Sequence, residues 1–126
     1  MNESTVRVTP YLCAKGAAEA IEFYKRAFGA EELSRVTNED GTIGHAAIRI
    51  GDAALMLADE WPEMKVLSPA TLGGNSVSFV LATDDVDAAF DRAVRAGGRV
   101  ERAVKDEPYG RAGWVIDPFG HRWCIM

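Results

Sequence analysis

The chain has 126 residues, with 48% hydrophobic and 26% charged residues, which is ordinary for one globular domain. Its 19 acidic and 14 basic residues give a net charge of −5, and no basic stretch is present to neutralise phosphates, which excludes nucleic acid as an expected partner. The longest apolar runs, such as 53–58, are too short to cross a bilayer, and the N-terminus does not resemble a signal peptide, so we expect a cytoplasmic protein without a membrane segment.

The first predicted elements are a strand and a helix. Alternating apolar and polar residues indicate a strand over 6–12, and Pro10, which has no N–H, places it at a sheet edge or ends its pairing. Gly16 opens the helix and Gly29 ends it. The apolar residues between them recur at the spacing of one helical stripe: Ala17, Ala20, Ile21, Tyr24 and Phe28.

Three further strands complete the first half of the chain. They are predicted over 32–37, 45–50 and 53–59, with a Gly51–Asp52 turn that makes a hairpin of the last two. Residues 61–75 contain two prolines and two glycines without a clear period, which is typical of a connection.

The same pattern then repeats. A strand over 76–82 leads to a helix that Thr83, Asp84 or Asp85 could cap and that Gly97 ends. Its apolar residues keep the rhythm of the first helix: Val86, Ala89, Phe90 and Ala93. Three more strands are predicted over 99–104, 113–116 and 122–126, with a proline-glycine turn at 117–120 before the last.

The chain therefore reads β-α-β-β-β twice, which predicts an α+β fold of two βαβββ modules. We expect module one at about 5–60, a linker at 61–75 and module two at about 76–126, all in a single domain over 1–126. Helices should cover the outer face of curved mixed sheets, whose other face is left to enclose a cavity.

Strand alternation separates two sheet faces. One face is uniformly apolar and should pack on the helices: Val6, Val8, Leu12, Ala46, Ile48, Ile50, Leu55, Leu57, Val77, Phe79, Leu81, Trp123 and Ile125. The other mixes small, polar and charged residues, as ligand sites usually do, but an ordinary solvent-facing sheet surface would look the same.

Several segments carry a family resemblance. They are 11–12, 16–24 and 27–30 at the start, 44–46 and 50–60 in the middle, and 108–111 and 117–123 at the end. Together they resemble the vicinal-oxygen-chelate superfamily (glyoxalase, bleomycin resistance, dioxygenase), and most closely its PhnB-like branch. The resemblance spans nearly the whole chain, but it implies no single activity, because this fold hosts lyases, dioxygenases, epimerases and non-catalytic drug binders.

The resemblance also bears on metal binding. Metal-dependent members of the family carry His or Glu ligands at four strand positions, and the matching positions here are Thr9, Met56, Ser78 and Cys124. None is a histidine or a carboxylate, the donors that divalent metals require in such sites. We therefore expect no metal and no cofactor. The spacing of Cys13 and Cys124 likewise suggests two reduced thiols rather than a zinc motif or a disulfide framework.

Individual residues leave alternatives open. His45 and Glu60 could form an acid/base or orienting pair, or be a surface histidine and a solvated carboxylate. Arg49 should pair with Glu60, with another acid or with an anionic ligand. His121 is interpreted as holding the last turn or packing beside Trp123.

Aromatic residues outside the main strands are the other candidates. Tyr109, Arg111 and Trp114 could form a wall of the cavity or belong to the core. Trp61 is more suggestive of function, because it follows Glu60 in a connection where an exposed tryptophan needs a reason.

The leading hypothesis is a metal-free protein that binds or sequesters a small organic molecule. The resemblance to bleomycin-resistance proteins implies a homodimer with sites near the subunit interface. The residues expected to line the site are Tyr11, His45, Arg49, Met56, Glu60, Ser78, Trp114 and Cys124. The alternatives are a lyase, isomerase or dioxygenase with a non-standard metal site or an acid/base pair, and a dimeric scaffold without a ligand.

Overall fold

The computed structural model describes residues 5–126, and residues 1–4, on which most of the expectation about the N-terminus rests, lie outside that range. Module one forms a four-stranded sheet in the order β1-β4-β3-β2, in which β1 runs parallel to β4 and the other pairs are antiparallel. Its elements are β1 (Tyr11–Cys13), α1 (Ala17–Phe28), β2 (Glu31–Thr37), β3 (Ile43–Ile50) and β4 (Ala53–Ala58).

Module two repeats this arrangement. Its sheet has the order β5-β8-β7-β6, again with one parallel pair, β5 and β8, and two antiparallel pairs. After a connection that contains a 3₁₀ turn (Pro62–Met64) and the short helix α2 (Pro69–Leu72), its elements are β5 (Ser78–Leu81), α3 (Val86–Ala96), β6 (Arg99–Glu107), β7 (Gly110–Ile116) and β8 (Arg122–Ile125). The predicted α+β fold of two βαβββ modules is confirmed.

The predicted strand over 6–12 is wrong at its start. The ladder with β4 begins at Tyr11, and the Pro10 carbonyl oxygen accepts a flanking hydrogen bond from the Met56 N–H at 2.9 Å. The valines assigned to the core from this segment are exposed instead, Val6 at 82% and Val8 at 90%. Val77 is also exposed, because β5 starts one residue after it.

Helices α1 and α3 pack against each other and against the apolar faces of both sheets. Seven of the core positions predicted on the strands are buried: Leu12, Ala46, Ile48, Leu55, Leu57, Trp123 and Ile125. An aromatic cluster joins the modules, with the Phe28 and Trp123 rings 4.6 Å apart and the Phe79 and Trp123 rings 4.9 Å apart. The helices therefore cover the apolar faces of the sheets, as expected, and the two modules share one hydrophobic core.

Asp117 connects the last turn to α1 at the centre of this core. Its carboxylate is buried and accepts hydrogen bonds from the Tyr24 hydroxyl and from the Trp123 indole N–H. Burial, followed by the charge of Asp117, raises the pKa of Tyr24 well above its ordinary value, so Tyr24 stays protonated and donates. Module two is thus fixed to the first helix by a satisfied buried polar network.

His121 has a structural role, as interpreted from the sequence. Its backbone N–H donates to Asp117 at 3.0 Å, and its Nε2 lies 3.0 Å from the Cys13 carbonyl oxygen, which accepts from it. The ring packs edge-on against Phe79 rather than directly beside Trp123. His121 therefore ties the last turn to the end of β1.

No helix within residues 5–126 is long and apolar enough to cross a membrane. The expected cytoplasmic location stays a prediction.

Candidate functional site

A cavity of about 760 Å³ lies at one end of the first sheet. The carboxyl ends of the parallel strands β1 and β4 meet there with the β2–β3 turn and the start of the connection, and the principal side chains in its lining are Tyr11, Cys13, Asp40, Asp59, Glu60 and Trp61. This volume is within the roughly 300–1,000 Å³ that small-molecule sites occupy.

Two aromatic side chains are half exposed at this cavity, Tyr11 at 56% and Trp61 at 58%. The Trp61 backbone forms reciprocal hydrogen bonds with Val66, of 2.9 and 3.1 Å, so the connection holds this residue at the edge of the cavity. Large aromatic faces left open beside a cavity are typical of surfaces that another molecule covers.

Tyr11 reaches across β4 to His45 on β3. Its hydroxyl oxygen lies 2.9 Å from His45 Nδ1, and the two rings meet edge to face with centroids 5.5 Å apart. Since β4 lies between β1 and β3, this contact depends on the strand order β1-β4-β3. Whichever of the two groups donates, the neutral pair retains one further donor, the Nε2–H of His45 or the hydroxyl hydrogen of Tyr11.

Glu60 is hydrogen-bonded to the connection between the two modules. Its Oε2 accepts hydrogen bonds from the backbone N–H and the hydroxyl of Ser68, both at 2.8 Å. Hydrogen bonds from Thr71 and then from Ser68 lower the pKa of Glu60, so it is ionised at neutral pH. The pair of His45 with Glu60 considered from the sequence is not formed, because each has another partner.

Asp59 and Asp40 are the other acids of the cavity. The Asp59 carboxylate accepts from the backbone N–H groups of Gly16 and Ala17 at the start of α1, and from that of Ile43 at the start of β3. Asp40 accepts from the Thr42 hydroxyl at 2.6 Å and from its N–H, and these bonds lower the pKa of Asp40. Sequence reasoning assigned neither residue to the site, since Asp40 fell between two predicted strands and Asp59 at the end of a third.

Three of the expected lining residues lie on the second sheet, away from this cavity. There the Arg122 guanidinium stacks 4.1 Å from the centroid of the Trp114 ring, donates to Ser78 at 2.9 Å and pairs with Glu101. The Trp114 indole N–H is buried and has no acceptor among the described residues. Burial raises the pKa of the neighbouring Cys124 thiol, so it is a poor nucleophile.

The structure thus divides the eight expected residues. Tyr11 and Glu60 line the cavity, and His45 is joined to it through Tyr11. Met56 is the strand partner of Tyr11, whereas Arg49 pairs with Glu31 at 3.2 Å, one of the options foreseen for it. Ligand roles for Tyr11, His45, Arg49, Met56, Glu60, Ser78, Trp114 and Cys124 remain predictions.

The positions that bear metal ligands elsewhere in the resembled family do not fit a divalent metal here. Thr9 precedes β1, Met56 lies on the first sheet, and Ser78 and Cys124 are strand residues of the second. Within residues 5–126, no three His, Cys, Asp or Glu side chains are grouped so that they could hold a metal ion. Hydroxyl, thioether and protonated thiol groups are weak donors for such ions.

The fold and the site define a small α+β protein built from a repeated βαβββ module, with a cavity at the end of one sheet. The chain belongs to the Glyoxalase/Bleomycin resistance protein/Dioxygenase superfamily, whose family model matches residues 6–125. The resemblance noted from the sequence is thereby confirmed.

Individual relatives agree with this assignment. The uncharacterized protein Mb0911c of Mycobacterium bovis is 46% identical over 94% of this chain and 80% of its own length. The crystal structure of the Arabidopsis thaliana At5g48480 product is 27% identical, with a TM-score of 0.79 over 97% of this chain and 98% of that one. A PhnB protein from Bacillus cereus shares the fold, at 21% identity and a TM-score of 0.75 over 96% of this chain and 98% of that one.

Proposed function

We propose that this protein binds a small organic molecule, without a metal, in the cavity at the carboxyl ends of β1 and β4. The observation that carries the proposal is a cavity of about 760 Å³ bordered by two half-exposed aromatic side chains, Tyr11 and Trp61. Family membership is compatible with this function but does not select it, because the fold supports many activities.

The aromatic surface would supply most of the affinity. Covering about 100 Å² of apolar surface contributes roughly 2.5 kcal/mol, before the entropy cost of association is subtracted. The donor retained by Tyr11 and His45 would orient the ligand by one hydrogen bond to a carbonyl, ether or hydroxyl oxygen. Glu60 and Asp59 would keep the cavity open, since their carboxylates hold its walls together.

We also infer a homodimer, in keeping with the family resemblance. Apolar side chains are exposed on the sheet faces that turn away from the helices, including Val36, paired with His45, and Val80, paired with Cys124. A second copy that covered these faces would remove them from water and bring the second sheet of one chain towards the site of the other. Light scattering should then give a mass near twice 13.7 kDa.

A second candidate function is metal-free acid/base catalysis by a lyase or isomerase. The 2.9 Å hydrogen bond between Tyr11 and His45 favours it, because a hydrogen-bonded imidazole beside a cavity can accept or return a proton. Following a bound ligand by NMR separates the candidates: a chemical change that His45→Ala abolishes indicates an enzyme, and an unchanged ligand indicates a binding protein.

Isothermal titration calorimetry with hits from a library of small aromatic molecules tests the proposal. We expect hits to bind the wild-type protein with one site per chain and to bind Trp61→Ala at least tenfold more weakly, about 1.4 kcal/mol. Tyr109→Ala is the matched control, because Tyr109 is exposed to a similar extent in the β6–β7 turn but does not line the cavity. Hits that bind both variants equally would contradict the proposal.

A further inference from the structure

The charges that line the cavity have one sign. Asp40 comes from the β2–β3 turn, and Asp59 and Glu60 follow β4. Among the described residues that form the lining, none is lysine, arginine or histidine. Hydrogen bonds lower the pKa of both Asp40 and Glu60, so these carboxylates are charged throughout the neutral range.

The three carboxylates are not equivalent. Asp59 accepts two hydrogen bonds at the N-terminus of α1, where the helix carries a partial positive charge that offsets much of the Asp59 charge. Within residues 5–126, Glu60 and Asp40 accept hydrogen bonds from neutral groups only: Thr71 and Ser68 for Glu60, and Thr42 for Asp40. Neither charge is neutralised by an ion pair in this part of the chain, and both carboxylates belong to the lining of the cavity.

The basic groups of this region do not neutralise these carboxylates. Arg35 is paired with Glu32, and Lys65, which precedes the lining residue Val66, is exposed and forms no ion pair with a described residue. Lys15 acts on Glu60 only weakly, because it is exposed to water and makes the smallest contribution to lowering the pKa of Glu60.

The aromatic walls favour the same ligand charge. The face of an indole or phenol ring attracts a cation that lies within about 6 Å of its centroid. Trp61 and Tyr11 offer such faces beside the carboxylates. A planar cation would gain from both features, a neutral ring only from the aromatic surface, and an anion would be repelled.

From this combination we propose that the cavity selects planar organic cations, such as N-alkylated nitrogen heterocycles, over neutral or anionic molecules of the same shape. The inference rests on the proposed function and adds the charge class of the ligand.

Three probes of similar area and different charge test the selectivity by calorimetry near neutral pH: N-methylquinolinium, quinoline and naphthalene-1-carboxylate. The cation should bind about tenfold more tightly than quinoline, a difference of about 1.4 kcal/mol. The carboxylate should bind more weakly than quinoline. Added salt should weaken cation binding and leave quinoline binding unchanged, because only the former depends on screened charges.

Two substitutions locate the effect. Asp40→Asn removes a charge but keeps an oxygen that can accept from Thr42, and should weaken cation binding about threefold at low salt without affecting quinoline. Asp91→Asn is the matched control, because Asp91 is exposed on α3, outside the cavity lining, and should change neither. Trp61→Ala should weaken binding of both the cation and quinoline.

The outcomes separate this inference from the proposed function. If quinoline or the carboxylate binds as tightly as the cation, and Trp61→Ala weakens that binding, the cavity is a ligand site and the charge selectivity is refuted. If neither Asp40→Asn nor Trp61→Ala alters cation binding, the inference is also overturned, because the cation must then bind outside the cavity. If no probe binds, the inference is wrong, and the proposed function fails with it only when the wider library also yields no ligand.

Discussion

Asp59 joins three elements at the base of the cavity, and its replacement is the sharpest test of how the site is held together. One carboxylate oxygen accepts the N–H groups of Gly16 and Ala17, at 2.8 and 3.0 Å, and the other accepts that of Ile43, at 2.7 Å. Asp59→Ala would leave all three donors without this acceptor. The start of α1 and the start of β3 would then lose their common attachment to the end of β4.

The expected loss follows from these contacts. Removing a helix N-cap costs about 1 kcal/mol. A part-buried hydrogen bond to a charged acceptor, such as the one from Ile43, contributes about 1.5–3 kcal/mol. Asp59→Ala should therefore lower the free energy of unfolding by about 3 kcal/mol, a large fraction of the roughly 5–15 kcal/mol of a typical domain. The unfolding free energy of Asp59→Asn should fall between those of the wild type and Asp59→Ala, because the single amide oxygen can accept at α1 or at β3 but not at both.

Urea denaturation followed by circular dichroism measures this loss, and the second helix supplies the control. Asp85 caps α3 through a single hydrogen bond from the Ala88 N–H, at 3.1 Å, so Asp85→Ala should cost only about 1 kcal/mol. If Asp59→Ala costs no more than Asp85→Ala at an unchanged m-value, Asp59 is only a helix cap and the account of the cavity base is wrong.

Three further predictions concern the core, the connection and the dimer. Tyr24→Phe removes a hydroxyl that donates to buried Asp117 and should lower the unfolding free energy by about 1.5–3 kcal/mol in urea titrations; a change below about 0.5 kcal/mol would contradict the buried network. The pKa of Glu60 is lower in the folded chain than in the unfolded chain. Its hydrogen bonds from Thr71 and Ser68 therefore stabilise the fold fully at pH values above the ordinary glutamate pKa, and this contribution is lost as the pH falls through the lowered pKa. The stability difference between wild type and Glu60→Gln should accordingly be largest near neutral pH and shrink below about pH 4, whereas a difference independent of pH would refute the assigned ionisation. Val80→Glu should convert the dimer to a monomer, as measured by light scattering. A wild-type protein that is already monomeric would refute the inferred dimer.

The fold could be predicted from the sequence because its signals are local. The periodicity of residues 17–28, the stop at Gly29 and the 117–120 turn each depend on a few neighbouring residues, and the second module repeats the rhythm of the first. The predicted start of β1 failed because alternation over 6–12 shows which side a residue faces, but not whether a neighbouring strand is present to pair with it.

The candidate site was less accessible to sequence reasoning because its contacts are not local. Tyr11 meets His45 only because β4 lies between β1 and β3, an order that alternation does not reveal. The sequence allows Glu60 to pair with His45, but the connection folds back and places Ser68 beside Glu60 instead. The exposure of Trp61 could be anticipated, since a tryptophan in a connection is a local signal, and its part in binding stays a prediction.

The indole N–H resonances in a ¹⁵N-correlated NMR spectrum offer the most direct measurement of the central claim, that the cavity beside Trp61 binds an organic molecule. The chain has three tryptophans, and Trp61→Phe assigns the signal of interest. Titration with the tightest-binding library member should shift the Trp61 signal saturably, with one site per chain, while the buried Trp123 signal stays in place. A saturable shift confined to Trp114 or Trp123, with Trp61 unmoved, would show that the ligand binds elsewhere and would contradict the account.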